Sequence, residues 1–126
     1  MKKINIIVIC ALSSILLFSC DESNFYKGEY IIVNDTNKAI DCYAVGRNIS
    51  APSVGIHDHI PANSILSLRK VNITEKATVK GIFVSIEIYQ NAQKSIKNPM
   101  EQNLWIKAFS NNQLTYTLVV DDSFFR

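Results

Sequence analysis

Cysteine is scarce in this chain, with three in 126 residues. That is too few for a small fold stapled by several disulfides. Glycine, at four, is too sparse and scattered to build a phosphate-cradling loop of the GxGxxG or GxxxxGK type. Charge is low at 19%, and 13 basic residues against 11 acidic ones give no electrostatic footprint for a nucleic-acid partner. No apolar run reaches the roughly 20 residues that a membrane-spanning helix requires. What remains is a chain long enough for one domain, and its 48% hydrophobic content argues against disorder.

The N-terminus has its own pattern. Met1-Lys2-Lys3 is a short basic start, and residues 6–18 are apolar except for Ser13 and Ser14. That length suits the hydrophobic region of an export signal. It ends in Leu17-Phe18-Ser19-Cys20. These residues resemble the bacterial lipoprotein signal, in which an aliphatic residue stands three before a Cys and a small residue just before it. Phe18 is bulkier than the residue usual between them. The resemblance implies cleavage of residues 1–19 and lipidation of Cys20. Two or more acyl chains hold a domain stably on a membrane, where one binds marginally. An ordinary secretory signal with an incidental Cys is the alternative.

Removing residues 1–19 takes Lys2 and Lys3 away and leaves 11 basic residues facing 11 acidic ones. The basic balance therefore belongs to the precursor. Cys10 goes with the signal and Cys20 carries lipid, so Cys42 is the one remaining thiol and no internal disulfide can form. Residues 20–28 read as the lipidated Cys and a tether, and residues 29–126 as the domain. Asp21 and Glu22 directly follow the lipid Cys, where an acid steers sorting in some lipoproteins. The expected location is the bacterial cell envelope, at the outer membrane or cell surface rather than the inner membrane.

From residue 29 the composition favours strands. Ile and Val number 21 beyond the signal, against 12 Leu plus Ala. Branched side chains lose rotamer freedom in helices and pack well on a pleated sheet. Residues 79–90 alternate, with Ile82, Val84, Ile86 and Ile88 on one face, and predict one long strand. Residues 113–120 alternate likewise, and Leu104, Ile106 and Ala108 form a third stripe. Ser110-Asn111-Asn112 predicts a hairpin turn, because Asn tolerates positive φ. Weaker strands are expected at 29–33, 39–45, 53–57 and 65–71. The sum is an all-β fold: a small antiparallel β-sandwich, immunoglobulin-like or similar, of six to seven strands.

A softer resemblance covers the whole chain. It is similar to small single-domain lipoproteins of Bacteroides-type bacteria in its lipid Cys followed by acids, its opening Ile31-Ile32-Val33-Asn34 and its Pro61-Ala62-Asn63-Ser64 turn. The closing Thr115-Tyr116-Thr117-Leu118-Val119-Val120-Asp121-Asp122 segment fits too. The resemblance implies a β-sandwich at the cell envelope and little else.

Few residues offer chemistry. His57 and His59 are the only histidines, and on a strand they share a face, which suits two imidazole ligands of a metal. A third ligand is missing from the local sequence, and Ile60-Pro61 predicts that the segment leaves the sheet there. Two solvated histidines at a loop edge are the simpler expectation. Cys42 alternates with Ile40 and Ala44 and reads as a small core hydrophobe. Asp121-Asp122 read as solvated. Asn34-Asp35-Thr36, Asn48-Ile49-Ser50 and Asn72-Ile73-Thr74 match the glycosylation triplet but read as turns.

Two long loops, 46–63 and 91–103, are either binding surfaces or decoration. Trp105, near Phe109 and the Pro99-Met100 pair, either completes the core or forms an exposed platform for a glycan or protein. The expected function is a non-catalytic binding or accessory module, held on the membrane through Cys20, with no cofactor and no nucleic-acid partner. The rivals are an immunity-type lipoprotein that neutralises a secreted toxin, and a small metal-dependent hydrolase using His57 and His59.

Overall fold

A computed structural model describes residues 25–47 and 54–126. The signal segment, Leu17-Phe18-Ser19-Cys20 and most of the tether lie outside the described residues. Eight strands are described: β1 (Tyr26–Asn34), β2 (Ile40–Gly46), β3 (Val54–Ile60), β4 (Ile65–Ile73), β5 (Phe83–Gln90), β6 (Gln93–Lys94), β7 (Trp105–Ser110) and β8 (Gln113–Val120). One helical turn, α1 (Val79–Ile82), precedes β5. The first sheet runs in the order β4-β1-β8-β7 and the second in the order β3-β2-β5-β6. Neighbours are antiparallel except β1 and β8, which pair in parallel over their whole length. The two sheets stack as a sandwich.

Alternation accounts for the two layers. Tyr30 and Ile32 of β1, with Leu114, Tyr116 and Leu118 of β8, point inward from the first sheet. Ile40, Cys42 and Ala44 of β2, with Ile86 and Ile88 of β5, answer from the second. Tyr30 stands at the centre. Its ring stacks on Tyr116 at 5.0 Å and meets Phe83 and Trp105 edge-on at 5.4 and 5.7 Å.

Turn chemistry matches the two-residue hairpins. Asn111 and Asn112 take φ of 52° and 63°, and Asn91 and Ala92 take 51° and 66°. Positive φ at both central residues matches the right-handed twist of the flanking strands. The first pair is the hairpin expected from Ser110-Asn111-Asn112. The second makes part of the expected 91–103 loop into a β5–β6 hairpin.

Several expectations need correction. The described residues form eight strands where six to seven are expected, and one pair of them is parallel. β1 opens at Tyr26, inside the segment read as tether. Residues 79–90 are not one strand. Thr78 caps α1 by accepting a hydrogen bond from the Gly81 amide at 3.1 Å, and Gln102 Oε1 accepts from the Val79 amide at 2.7 Å. A bulge at Val45/Gly46 then sets Phe83 opposite Gly46, so Phe83 turns inward and Val84 faces solvent. A bulge of this kind reverses the alternation beyond it. At Gly46 a Cβ would lie 2.9 Å from the Arg69 guanidinium. That group donates to the carbonyls of Ile82 and Arg47 at 2.6 and 2.9 Å. The stripe on β7 is inverted as well. Trp105 is buried and Ile106 exposed, because Trp105 pairs with inward-facing Leu118.

At the end away from the chain's entry, Asn34 is fully buried. Its Nδ2 donates to the carbonyls of Lys38, Ile60 and Pro61 at 2.9, 3.1 and 3.0 Å. Its Oδ1 accepts from the Thr36 amide and hydroxyl at 3.1 and 2.7 Å. The triplet read as a turn thus begins with a core residue. It joins the β1–β2 crossover to the β3–β4 crossover, two of the links between the sheets.

Two substitutions separate satisfied from unsatisfied polar burial. Asn34→Ala leaves several buried carbonyls without a donor and is expected to cost about 2–4 kcal/mol in urea denaturation. Tyr30 Oη is buried with no hydrogen-bond partner among the described residues. Tyr30→Phe is therefore expected to hold or raise stability, by up to about 1 kcal/mol in the same measurement.

Candidate functional site

The second sheet has its β2, β3 and β5 side chains alternating between core and solvent, and the outward set is where functional groups collect. Register fixes the arrangement. His59, Asp41, Tyr89 and Lys94 form one cross-strand row, and His57, Tyr43 and Glu87 form the next. Gly55, Val45 and Ser85 form a third. Side chains directly opposite across strands interact.

Contacts within the rows are specific. Asp41 Oδ1 lies 3.1 Å from His59 Nδ1 and 3.3 Å from His57 Nε2. The Tyr43 ring lies parallel to His57, with centroids 4.3 Å apart and planes 3° from parallel. Tyr89 meets Tyr43 edge-on at 5.7 Å and donates from its hydroxyl to Glu87 Oε1 at 3.2 Å. Lys94 Nζ lies 3.6 Å from Glu87 Oε2. Hydrogen bonding from His59 leads the causes that hold the Asp41 carboxyl below the usual carboxylate range, with His57 adding to it. Asp41 thus stays an acceptor that fixes both imidazoles.

Shallow depressions flank Tyr43. One of about 530 Å³ is lined by Asp41, Tyr43, Glu87, Tyr89 and Ala92. Another of about 340 Å³ extends over Gly55, His57, Ser85 and Glu87. Tyr43 is 44% exposed between them. A further depression, on the outer face of the first sheet, is lined by Lys27, Glu29, Lys70 and Gln113 and holds no aromatic ring. Aromatic faces set among fixed hydrogen-bonding groups are the usual make-up of a recognition surface.

The expected site residues separate. His57 and His59 do share a face. They lie within β3, which continues to Ile60, and not at a loop edge, because pairing with β2 runs through Ile40↔Ile60. Their third neighbour is Asp41, 16 and 18 residues earlier in the chain. Each ring directs one nitrogen to the same carboxylate oxygen, and among the described residues no group of three His, Cys, Asp or Glu has metal-site geometry. Cys42 points to the core, away from both histidines. Burial pushes its thiol up to about 12, and Asp58 adds to the effect.

Trp105 is not an exposed platform. It is 6% exposed, and its Nε1 donates to the Pro99 carbonyl at 2.7 Å. Pro99 is buried and Met100 packs against the core, so these three anchor the 95–104 segment. Phe109 alone of the four is exposed, and it lies toward the opposite end of β7. Cys20 lies outside the described residues. The outer face of β2, β3 and β5 escaped the sequence reading. Its signal was present, because Asp41-x-Tyr43 and Glu87-x-Tyr89 alternate with the core residues Cys42 and Ile88, and His57-x-His59 keeps the same period.

Comparison with known proteins adds no relative: no family model, no curated protein and no solved structure matches this chain. Fold and face define it as a small all-β sandwich with one polar–aromatic sheet face.

A lowered carboxylate pKa gives stability that is present above the ordinary carboxylate range and lost as pH falls through the lowered value. Wild type is therefore expected to be more stable than Asp41→Asn at neutral pH. The gap should close on acidification, as read from urea midpoints at successive pH values.

Proposed function

We propose that this chain is a lipid-anchored protein of the bacterial cell envelope that acts as a non-catalytic binding or accessory module. The anchor is Cys20, and the reading rests on the resemblance of Leu17-Phe18-Ser19-Cys20 to the lipoprotein signal. The binding surface is the outer face of β2, β3 and β5.

One observation carries the binding half: Tyr43 stands exposed between two depressions and is braced by His57 and Tyr89, with Asp41 and Glu87 beside it. Rings held by stacking and edge contacts lose little freedom on binding, so little ordering entropy opposes association. Two carboxylates beside the rings accept hydrogen bonds from hydroxyl or amide groups. Such a face suits a glycan or a polar protein surface, and the polyhydroxylated ligand fits best. The apolar C–H face of a sugar packs on a ring while its hydroxyls reach Asp41 and Glu87. The depressions are broad and open, which favours an extended ligand lying along the strands.

The two halves are tested together. Palmitate labelling in cells is expected for wild type and lost in Cys20→Ser. Binding of soluble envelope oligosaccharides, read by calorimetry, is expected to weaken about tenfold or more in Tyr43→Ala, in line with loss of one central aromatic contact. Unlabelled wild type ends the anchor reading. Unchanged binding in both Tyr43→Ala and Tyr89→Ala ends the choice of this face.

A further inference from the structure

The end of the sandwich where the chain enters differs from the rest of the surface. β1 begins there, next to the β7–β8 hairpin, since Lys27 pairs with Gln113 and Gln113 with Ser110. Phe25 is 66% exposed and Phe109 56% exposed. Tyr26, next to Phe25 in the chain, meets the Phe109 ring edge-on at 4.9 Å, so all three aromatics lie at this tip. Phe109 sits on the inward side of β7, but β6, the edge strand of the second sheet, has only two residues and leaves that side uncovered.

Charge singles out the same end. Lys27 on β1, Lys107 on β7 and Lys76 and Lys80 on the 74–82 crossover gather here. Arg47 joins them through its bond to the Lys80 carbonyl, and Lys107 bonds the Glu75 carbonyl. The carboxylates near them among the described residues are Glu75 and Glu29; Glu29 accepts from Gln113 Nε2 at 3.3 Å and stands opposite a further cation, Lys70. The ion pairs of the described residues all lie elsewhere. At the opposite end Asp35, Asp121 and Asp122 are balanced by Lys38, Lys97 and Arg126. A mature chain with no net charge therefore presents a basic, aromatic end and a neutral one.

We propose that this end docks on the surface of an anionic phospholipid bilayer, with Phe25 and Phe109 in the headgroup region and the lysines against the phosphates. The proposal rests on the anchor reading and extends it. Cys20 precedes Phe25 by five residues, a reach of at most about 17 Å, so a lipidated Cys20 holds this end at the bilayer. Tethering at that distance turns docking into an intramolecular event with a high effective concentration. Aromatic rings with flanking lysines are the composition that interfacial anchoring uses. Asp21 and Glu22 in the tether reduce the positive excess without cancelling it. Docked this way, the strands stand along the membrane normal. The Tyr43 face is then turned sideways, clear of the lipid.

The test uses the full lipidated chain in phosphatidylcholine vesicles with and without phosphatidylglycerol. A nitroxide is placed at Ser110→Cys or, at the opposite end, at Asp35→Cys. Accessibility is read against oxygen, which partitions into lipid, and a water-soluble nickel chelate. The expected result is a higher oxygen-to-nickel ratio at Ser110 than at Asp35, larger with phosphatidylglycerol. The difference should be lost in Phe25→Ser with Phe109→Ser, and reduced in Lys27→Gln with Lys107→Gln, which touches surface residues only. Equal ratios at the two labels in protein that floats with vesicles overturn the docking and leave the anchor standing. Protein that neither floats nor carries lipid overturns the anchor reading, and the docking with it. Broadening between Ser110 labels on neighbouring copies assigns the patch to self-association and overturns the bilayer as its occupant.

Discussion

The Asn34 side chain holds the two sheets in one arrangement. A buried amide needs its hydrogen bonds, since an unsatisfied donor or acceptor in the core costs as much as a good contact contributes. Here the partners are carbonyls from the β1–β2 and β3–β4 crossovers, together with Thr36. Gln90, at the end of β5, adds a bond to the Thr36 hydroxyl at 2.9 Å. Strands from both layers are thus tied at one point. Shifting either sheet along the other breaks the group, so the stacking of the layers and the polar cluster specify each other.

The location of the polar–aromatic face follows. With the inner sides of β2 and β5 committed to the core, Asp41, Tyr43, Glu87 and Tyr89 can only face outward, and β3 adds His57 and His59 beside them. Asp58, on the inner side of edge strand β3, is half-buried, an inward-pointing charge that discourages another strand from pairing there. The aromatic tip belongs to the other sheet and another cause. Among the described residues β2 and β5 end their pairing at Gly46↔Phe83, and Phe83 meets Tyr30, four residues into β1, so Tyr26 and Phe109 nearer the tip remain partly in solvent. Face and tip are therefore separate surfaces, the first proposed to meet a ligand and the second a bilayer.

Much of this was legible in the chain. Alternation located the strands 113–120 and 40–46 within a residue or two, and it identified Cys42 as core. Paired asparagines marked the β7–β8 hairpin, because few other residues accept two successive positive φ values. Where alternation failed, a specific competitor had won. At 79–90 the Thr78 cap and the Val45/Gly46 bulge broke the period. On β7 the local stripe of Leu104, Ile106 and Ala108 lost to the larger Trp105 ring, whose burial removes more apolar area from water and whose Nε1 finds the Pro99 carbonyl. Of the aromatics that the chain offers near residue 105, Trp105 is core, whereas an exposed ring with fixed polar neighbours is Tyr43, in the middle of a strand.

The sequence by itself determined the all-β class, the one-domain size, the core position of Cys42 and the resemblance of its first twenty residues to an export and lipidation signal. These depend on local composition and short periods, which neighbouring residues carry among themselves. Tertiary structure alone decided that Asp41 stands between two histidines, that β1 lies parallel to β8, and that Phe25 and Phe109 share one end. Each joins residues distant in the chain. Such pairings are set by strand register and layer stacking, to which no window of neighbouring residues has access.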